Sequence, residues 1–171
     1  MIRENLLQRG DGKKILLLGM GNFLRGDDGF GPWVIRHLKD KTSLMLLDAG
    51  ANPENMFGPL RRLRPEEIII VDAVSLDAPP GSLHWLDPRQ IDNVGLSTHA
   101  PSLDLFITFL QANRMDAPVH IIGVVPSQLN MAGRLSPEVQ EAAHAVVALI
   151  AELFPPENGS AAVPTDPSSN P

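Results

Sequence analysis

The chain has 171 residues, a formal net charge of −6, and neither cysteine nor tyrosine. That length suits one domain with one sizeable core, the acidic balance argues against nonspecific nucleic-acid binding, and the missing thiol excludes a cysteine nucleophile, thiolate metal ligands and disulfides. Hydrophobic residues make up 43% and charged residues 20%, as in an ordinary soluble protein. No apolar run approaches the ~20 residues of a membrane span, and the first ten residues lack the apolar core of a secretory signal. The sequence therefore reads as cytoplasmic, with no membrane partner. Its chemistry must come from Asp, Glu, His, Ser, Thr, Lys or a metal.

Residues 1–12 are polar and expected to be loosely held. A single domain is expected over residues 13–154. Ile15-Leu16-Leu17-Leu18 reads as a buried strand. It runs into Gly19-Met20-Gly21-Asn22-Phe23-Leu24-Arg25-Gly26-Asp27-Asp28-Gly29-Phe30-Gly31, a glycine-rich loop. A helix over residues 32–38 follows, with Val34, Ile35 and Leu38 as its apolar stripe and Pro32 in its first turn. This is the first half of a βαβ unit. Residues 43–47 read as a second strand ending at Asp48-Ala49-Gly50. Asn52-Pro53-Glu54-Asn55 resembles a helix start, with Met56, Leu60 and Leu63 at helical spacing. Arg61, Arg62 and Arg64 cluster near the end of that helix. They either complement its dipole or form a docking surface for an acidic partner.

Glu67-Ile68-Ile69-Ile70-Val71 is the clearest buried strand, and Asp72 ends it. Ala78-Pro79-Pro80-Gly81 is a turn, and residues 82–86 make a short strand near the sheet edge. Leu96-Ser97-Thr98-His99 precedes a helix carrying Leu103, Phe106, Ile107 and Leu110. Residues 119–125 form a fifth strand with Gly123 inside it. Residues 126–134 are a polar loop, long enough to wall a binding site. Ser136 as N-cap, Pro137 at N1 and Glu138 in the first turn start a long final helix. From Pro155 the composition is that of a disordered tail, residues 155–171.

Strands alternate with helices, so the fold class is α/β with a mostly parallel sheet between helix layers. Loops after parallel strands face the crevice where ligands bind. Two nucleotide signatures fail there. Gly19-x-Gly21 starts like a dinucleotide fingerprint, but Leu24 stands where the third glycine belongs. Gly21-x-x-x-x-Gly26 starts like a P-loop, but Asp27-Asp28 replaces the Lys-Ser/Thr pair. A carboxylate about 4 Å from a phosphate oxygen costs roughly 4 kcal/mol at an effective dielectric of 20. A loop bearing carboxylates suits a cation or proton transfer instead; alternatively, either aspartate caps the following helix. Asp28, Asp72 and His99 come from three loops. Two carboxylates and an imidazole are a credible set for nickel, zinc, manganese or iron. His37, His84, His120 and His144 lie within elements, where a structural role is expected.

The chain resembles the nickel–iron hydrogenase maturation proteases from about residue 14 to residue 154. The resemblance rests on Gly19-Met20-Gly21-Asn22, Gly26-Asp27-Asp28-Gly29-Phe30-Gly31, Asp48-Ala49-Gly50, Pro53-Glu54-Asn55, Leu63-Arg64-Pro65, Ile70-Val71-Asp72-Ala73 and Thr98-His99, in that order. Pro53-Glu54-Asn55 and Leu63-Arg64-Pro65 look most like the branch that processes hydrogenase 3, the enzyme of formate hydrogenlyase. The resemblance implies a three-layer α/β/α sandwich with a mostly parallel five-stranded sheet, phosphorylase/hydrolase-like. It implies a metal-dependent, aspartic-type endopeptidase, monomeric, that removes a C-terminal extension from a hydrogenase large-subunit precursor after nickel insertion. Nickel would be supplied by that precursor. The family's metal and catalytic positions map onto Asp28, Asp72 and His99, with Asp27 behind them. Some members carry Glu at the first position, and Asp28 shortens that reach by one methylene. The rivals are a nonenzymatic nickel-binding chaperone for the same precursor and a nucleotide-binding domain.

Overall fold

The computed structural model describes residues 1–9, 12–88, 100–130 and 133–156. Five strands form one sheet: β1 (Ile15–Met20), β2 (Met45–Gly50), β3 (Glu67–Ala73), β4 (Leu83–Leu86) and β5 (Val119–Val124), in the order β2-β1-β3-β5-β4. β1 pairs in parallel with β2 and β3, and β3 with β5; β4 runs antiparallel to β5 at the edge. The helices are α1 (Ile2–Leu7), α2 (Phe30–Leu38), α3 (Phe57–Leu63), α4 (Ala100–Ala112) and α5 (Pro137–Leu153). Short 3₁₀ turns at Gly26–Gly29 and Pro53–Met56 lead into α2 and α3.

The strand sequences dictate this layering. β1 and β3 are apolar at nearly every position and buried along their whole length, as strands covered on both faces must be. Successive residues face opposite sides. Leu17, Ile69, Val71, Ile122 and Val124 share one core with Phe30, Val34 and Ile35 of α2 and with Val139, Ala143, Val146 and Ile150 of α5. Leu16, Leu18, Ile68, Ile70 and Ile121 share the other with Leu60 of α3 and with Phe106 and Leu110 of α4. Phe30 and Phe106 are both fully buried. Burying a side chain of that kind contributes about 1.5–3 kcal/mol, so each anchors its layer. The result is the three-layer α/β/α sandwich expected from the sequence.

Element boundaries moved by one to three residues, mostly where caps decide them. α2 begins at Phe30, before Pro32, because the Gly26–Gly29 turn already winds the chain helically. β3 runs through Asp72 to Ala73, since Val71, Asp72 and Ala73 pair with Ile122, Gly123 and Val124. The N-terminal stretch, expected to be loosely held, forms α1. Leu6 of that helix is fully buried in the α2–α5 core, and Arg9 is bonded to the buried Glu67. One apolar residue and one arginine tether a segment whose composition is otherwise polar. The tail from residue 157 lies outside the described residues.

Candidate active site

The sheet order fixes where a site can form. From β1 the chain crosses to β2 on one side and returns to β3 on the other. β1 and β3 are neighbours whose crossovers cover opposite faces. Ligands in open α/β sheets bind at such a switch point, outside the carboxyl ends of the strands. The segment leaving β1 carries the Asp27-Asp28 pair, and the carboxyl end of β3 carries Asp72.

Three glycines bring these segments together. Gly31 lies against the sheet so closely that a Cβ there would stand 2.2 Å from the Val71 carbonyl oxygen and 2.3 Å from that of Met20. Gly19 meets α2 from below, where a Cβ would lie 2.6 Å from Ile35 Cγ1. Gly21, at φ +131°, admits the Asp28 carbonyl to where a Cβ would stand, only 1.8 Å away. The dinucleotide pattern fails at Leu24, yet the packing role of its third glycine exists and is filled by Gly31. The N-terminus of α2 is thus pressed against the end of β3, beside Asp72.

The two adjacent aspartates do different things. Asp27 is fully buried. Its Oδ2 accepts the backbone N–H groups of Ser127 and Gln128, both at 2.8 Å, and the Ser136 hydroxyl at 2.9 Å; its Oδ1 accepts the Ser136 backbone N–H at 2.6 Å. In addition the Asp27 N–H donates to the Gln128 carbonyl at 3.0 Å. This carboxylate is the tie between the β1–α2 loop and the β5–α5 loop. Ser136 does hold the N-cap position of α5, but its hydroxyl does not cap the helix, because it serves Asp27. Neither aspartate is the N-cap of α2; Gly29 is.

Asp28 is also fully buried, and its Oδ2 accepts the Asn22 N–H at 3.1 Å. Asp72 is 1% exposed, and its Oδ1 accepts the N–H of Ala73 at 2.8 Å. Strand alternation puts Asp72 on the face shared with Ile68 and Ile70, the α3–α4 side. Its register partner on β5 is Gly123, where a Cβ would strike Val74 at 2.5 Å. α4, on that same face, starts at Ala100. His99, the third candidate, lies outside the described residues, as does residue 98. Among the described residues no group of three or more His, Cys, Asp or Glu side chains could hold a metal ion.

The other histidines behave as their positions suggested. His37 and His144 bond the carbonyls one turn back on their own helices, Trp33 and Gln140, both at 2.8 Å. His84 Nε2 meets the Ser82 hydroxyl at 3.0 Å. His120 sits between Trp85 and Arg9 at the opposite end of the sheet. Asp48 is exposed; it turns its own chain by accepting the Gly50 N–H, and lies 3.6 Å from Arg36. The feature sequence reasoning missed is the use of residues 127, 128 and 136 as donors to Asp27. Three of the four donors are backbone N–H groups, which leave no mark in side-chain identity, and the fourth, the Ser136 hydroxyl, reads in the sequence as an N-cap.

A three-layer α/β/α domain with buried carboxylates at its switch point defines a hydrolase-type scaffold rather than a phosphate binder. The model of the hydrogenase maturation protease family HycI matches residues 34–153, and the chain belongs to that family. The hydrogenase 3 maturation protease of Escherichia coli strain K12 is 29% identical over 134 residues, covering 77% of this chain and 85% of that protein. The crystal structure of a [NiFe] hydrogenase maturation protease HycI from Thermococcus kodakarensis superposes with a TM-score of 0.71 at 26% identity, over 87% of this chain and 97% of that one. The solution structure of the endopeptidase HycI from Escherichia coli gives the same TM-score and identity, over 81% and 90%. This chain is therefore an endopeptidase of hydrogenase maturation, a hydrolase acting on peptide bonds. The rival of a nucleotide-binding domain falls with that assignment.

Proposed function

We propose that this endopeptidase removes the C-terminal extension of a hydrogenase large-subunit precursor once nickel is in place, and that Asp28, Asp72 and His99 carry the reaction. The observation behind the proposal is the pair Asp28 and Asp72. Two carboxylates, each essentially fully buried, stand on adjoining segments at the switch point. Burying a carboxylate is costly unless it is bonded or meets a cation. Oxygen donors with an added imidazole suit nickel, so these residues fit the metal that the precursor would bring. When bound, the ion supplies Lewis-acid polarisation.

The chain's own residues do the rest. Asp28 and Asp72 hold the precursor's metal-bearing end against the sheet edge. One of them accepts a proton from the attacking water, and the same proton passes to the leaving amine, which balances the hydrolysis. Asp27 keeps the β5–α5 loop closed beside them. A cavity of about 330 Å³ lined by Phe23, Gly26, Gly29, Trp33, Arg134 and Leu135 adjoins the Asp28 turn and would receive the extension. On this reading the enzyme is aspartic-type in its functional groups, monomeric and cytoplasmic. Among the described residues no helix is long and apolar enough to cross a membrane.

The test is cleavage of the cognate precursor, nickel-loaded and nickel-free, read by intact mass. Loss of the C-terminal peptide from the loaded form alone is expected. Binding without mass loss would restore the chaperone reading. Cleavage of both forms would remove substrate nickel from the mechanism. His99→Ala should abolish processing with the fold intact, and full processing by that variant would sink the assignment of His99.

A further inference from the structure

The end of the molecule opposite Asp28 and Asp72 carries a cavity of about 520 Å³, lined by Arg61, Arg64, Pro65, Asn113, Arg114 and Asp116 among others. It lies where α3 runs out into β3 and α4 into β5. From Glu67 to Asp72 is five residues of strand, roughly 17 Å at ~3.3 Å each. The cavity is therefore remote from the proposed site of cleavage.

Three arginines line this cavity in a chain whose net charge is −6. Arg61, Arg64 and Arg114 are exposed, and among the described residues none of the three is in an ion pair. Arg61 is held in place: it donates to Asn113 Oδ1 at 2.7 Å and lies 5.6 Å from the centre of the Phe109 ring. Asn113 is itself fixed by donating to the Phe109 carbonyl at 2.9 Å. Phe109 stacks on Phe57 of α3 at 3.6 Å, which locks the two helices together under the cavity. A guanidinium whose orientation is already set loses less entropy on meeting a carboxylate, and its fork pairs with both oxygens.

Arg64 and Arg114 occupy left-handed backbone, with φ of 46° and 52°. Arg64 is the C-cap of α3 and Arg114 lies two residues past the end of α4, in the region where glycine or asparagine usually takes this conformation. Arg64 N–H closes the end of α3 on the Leu60 carbonyl, and Met115 N–H closes α4 on that of Leu110. The helix dipoles account for cations near these termini, but each terminus carries only about half a negative charge. Two such ends and Asp116 leave three arginines with an excess of about one positive charge.

We infer that this cavity is an exosite that takes an acidic peptide segment of the protein substrate, apart from the bond that is cut. The assignment of the occupant rests on the proteolytic reading above. A peptide with several carboxylates fits better than one small anion, because three arginines line a single cavity of about 520 Å³. An acidic segment also answers the charge, since three arginines gather at one cavity in a chain of net charge −6. The exosite selects which precursor is engaged, while the switch point performs the cleavage.

The experiment uses the full chain, a fluorescein-labelled octaglutamate peptide, and the triple variant Arg61→Gln, Arg64→Gln, Arg114→Gln. Fluorescence anisotropy should show salt-sensitive binding that weakens at least about tenfold in the variant. Precursor processing by the variant should show KM raised about fivefold or more while kcat stays within a factor of two. A matched triple Arg→Lys variant, which keeps the charge and loses the fork, should fall between. Equal peptide binding by wild type and the Gln variant would overturn the exosite. So would binding of inorganic phosphate or a uridine oligonucleotide in preference to the peptide. Lost peptide binding with unchanged KM would overturn the precursor as occupant. Peptide binding by a wild-type protein that processes no precursor would overturn the proteolytic reading and leave the cavity's anion chemistry standing.

Discussion

The two ends of the sheet both bury carboxylates, and they neutralise them differently. At the amino end Glu67, 3% exposed, is held by the Arg9 guanidinium at 2.5 Å, and Arg9 also lies 4.6 Å from the centre of the Trp85 ring and 3.0 Å from His120 Nε2. The same His120 nitrogen lies 3.5 Å from Glu67 Oε1, so the three side chains form one cluster. A charge is balanced by a charge, and the assembly fastens α1 to the sheet. At the carboxyl end Asp27 has four hydrogen bonds, all from neutral donors. An anion held by neutral dipoles keeps its negative field, whereas an ion pair cancels it. Asp27 therefore keeps a negative field beside the proposed site, and the Arg9–Glu67 pair serves the fold.

The largest effects should come from removing the field without removing the shape. Asp28→Asn and Asp72→Asn are each expected to lower kcat/KM for the precursor about 10³-fold, within the range of losing a positioned acid–base group. Urea midpoints measured on the same variants separate lost chemistry from lost folding. Processing at near wild-type rate by either variant would place the chemistry elsewhere.

The amino end should respond in the opposite way. Glu67→Ala leaves Arg9 facing an apolar neighbourhood and should cost about 3 kcal/mol, as for other broken buried pairs. Arg9 is only 16% exposed, so solvent relieves little of that cost. Precursor cleavage per folded molecule should be unchanged. Urea denaturation with a specific-activity assay separates the two readouts, and a fall in specific activity would break the division between the ends.

Asp27 sharpens the comparison because it belongs to the carboxyl end yet acts structurally. Asp27→Asn turns one acceptor into an NH₂ aimed at backbone N–H groups. Loss of hydrogen bonds to a charged acceptor predicts about 1.5–3 kcal/mol of destabilisation. With the β5–α5 loop untied, KM for the precursor should rise more than kcat falls. Gly31→Ala tests a different contact, that of α2 on β1 and β3. Its Cβ would enter the Val71 carbonyl, and overpacking of this kind typically costs about 1–3 kcal/mol.

Much of this division was legible in the sequence. The apolar runs of β1 and β3 announced a sheet buried on both faces, and a doubled aspartate after a buried strand announced a crevice without phosphate. Asp72 was legible for the same reason, standing at the end of the most apolar strand. The split between Asp27 and Asp28 was not, since two adjacent identical residues carry no sign of which one meets the loop a hundred residues away. Glu67 reads as part of the buried strand, but what lets its carboxylate be buried was not legible, because that depends on Arg9, in a segment whose composition suggested no tether. Long-range pairs between residues of ordinary type have no local pattern to betray them. The arginine group was visible as Arg61, Arg62 and Arg64, but Arg114 joins it only because α3 and α4 end side by side.

The smallest effect should be at the second tether of α1. Arg3 donates to both oxygens of Glu152 on α5, at 3.1 and 2.6 Å, and both side chains are more than half exposed. The side-chain hydrogen bonds from Arg3, then its charge, hold the Glu152 carboxyl below its ordinary value of 4.5. A carboxylate whose folded-state pKa is depressed stabilises the fold above its unfolded pKa and loses that contribution as pH falls through the folded value. The gain is therefore present at neutral pH and disappears on acidification below about 4.5. Solvent and salt screen an exposed pair, and such pairs contribute little. Arg3→Gln should lower the urea midpoint only slightly at pH 7, with the difference vanishing at acid pH and in high salt. Glu67 lies behind the same helix, so a loss for Arg3→Gln as large as for Glu67→Ala would mean that α1 is held by its surface charges. A small, acid-sensitive loss would mean that buried Leu6 and the Arg9–Glu67 pair hold it.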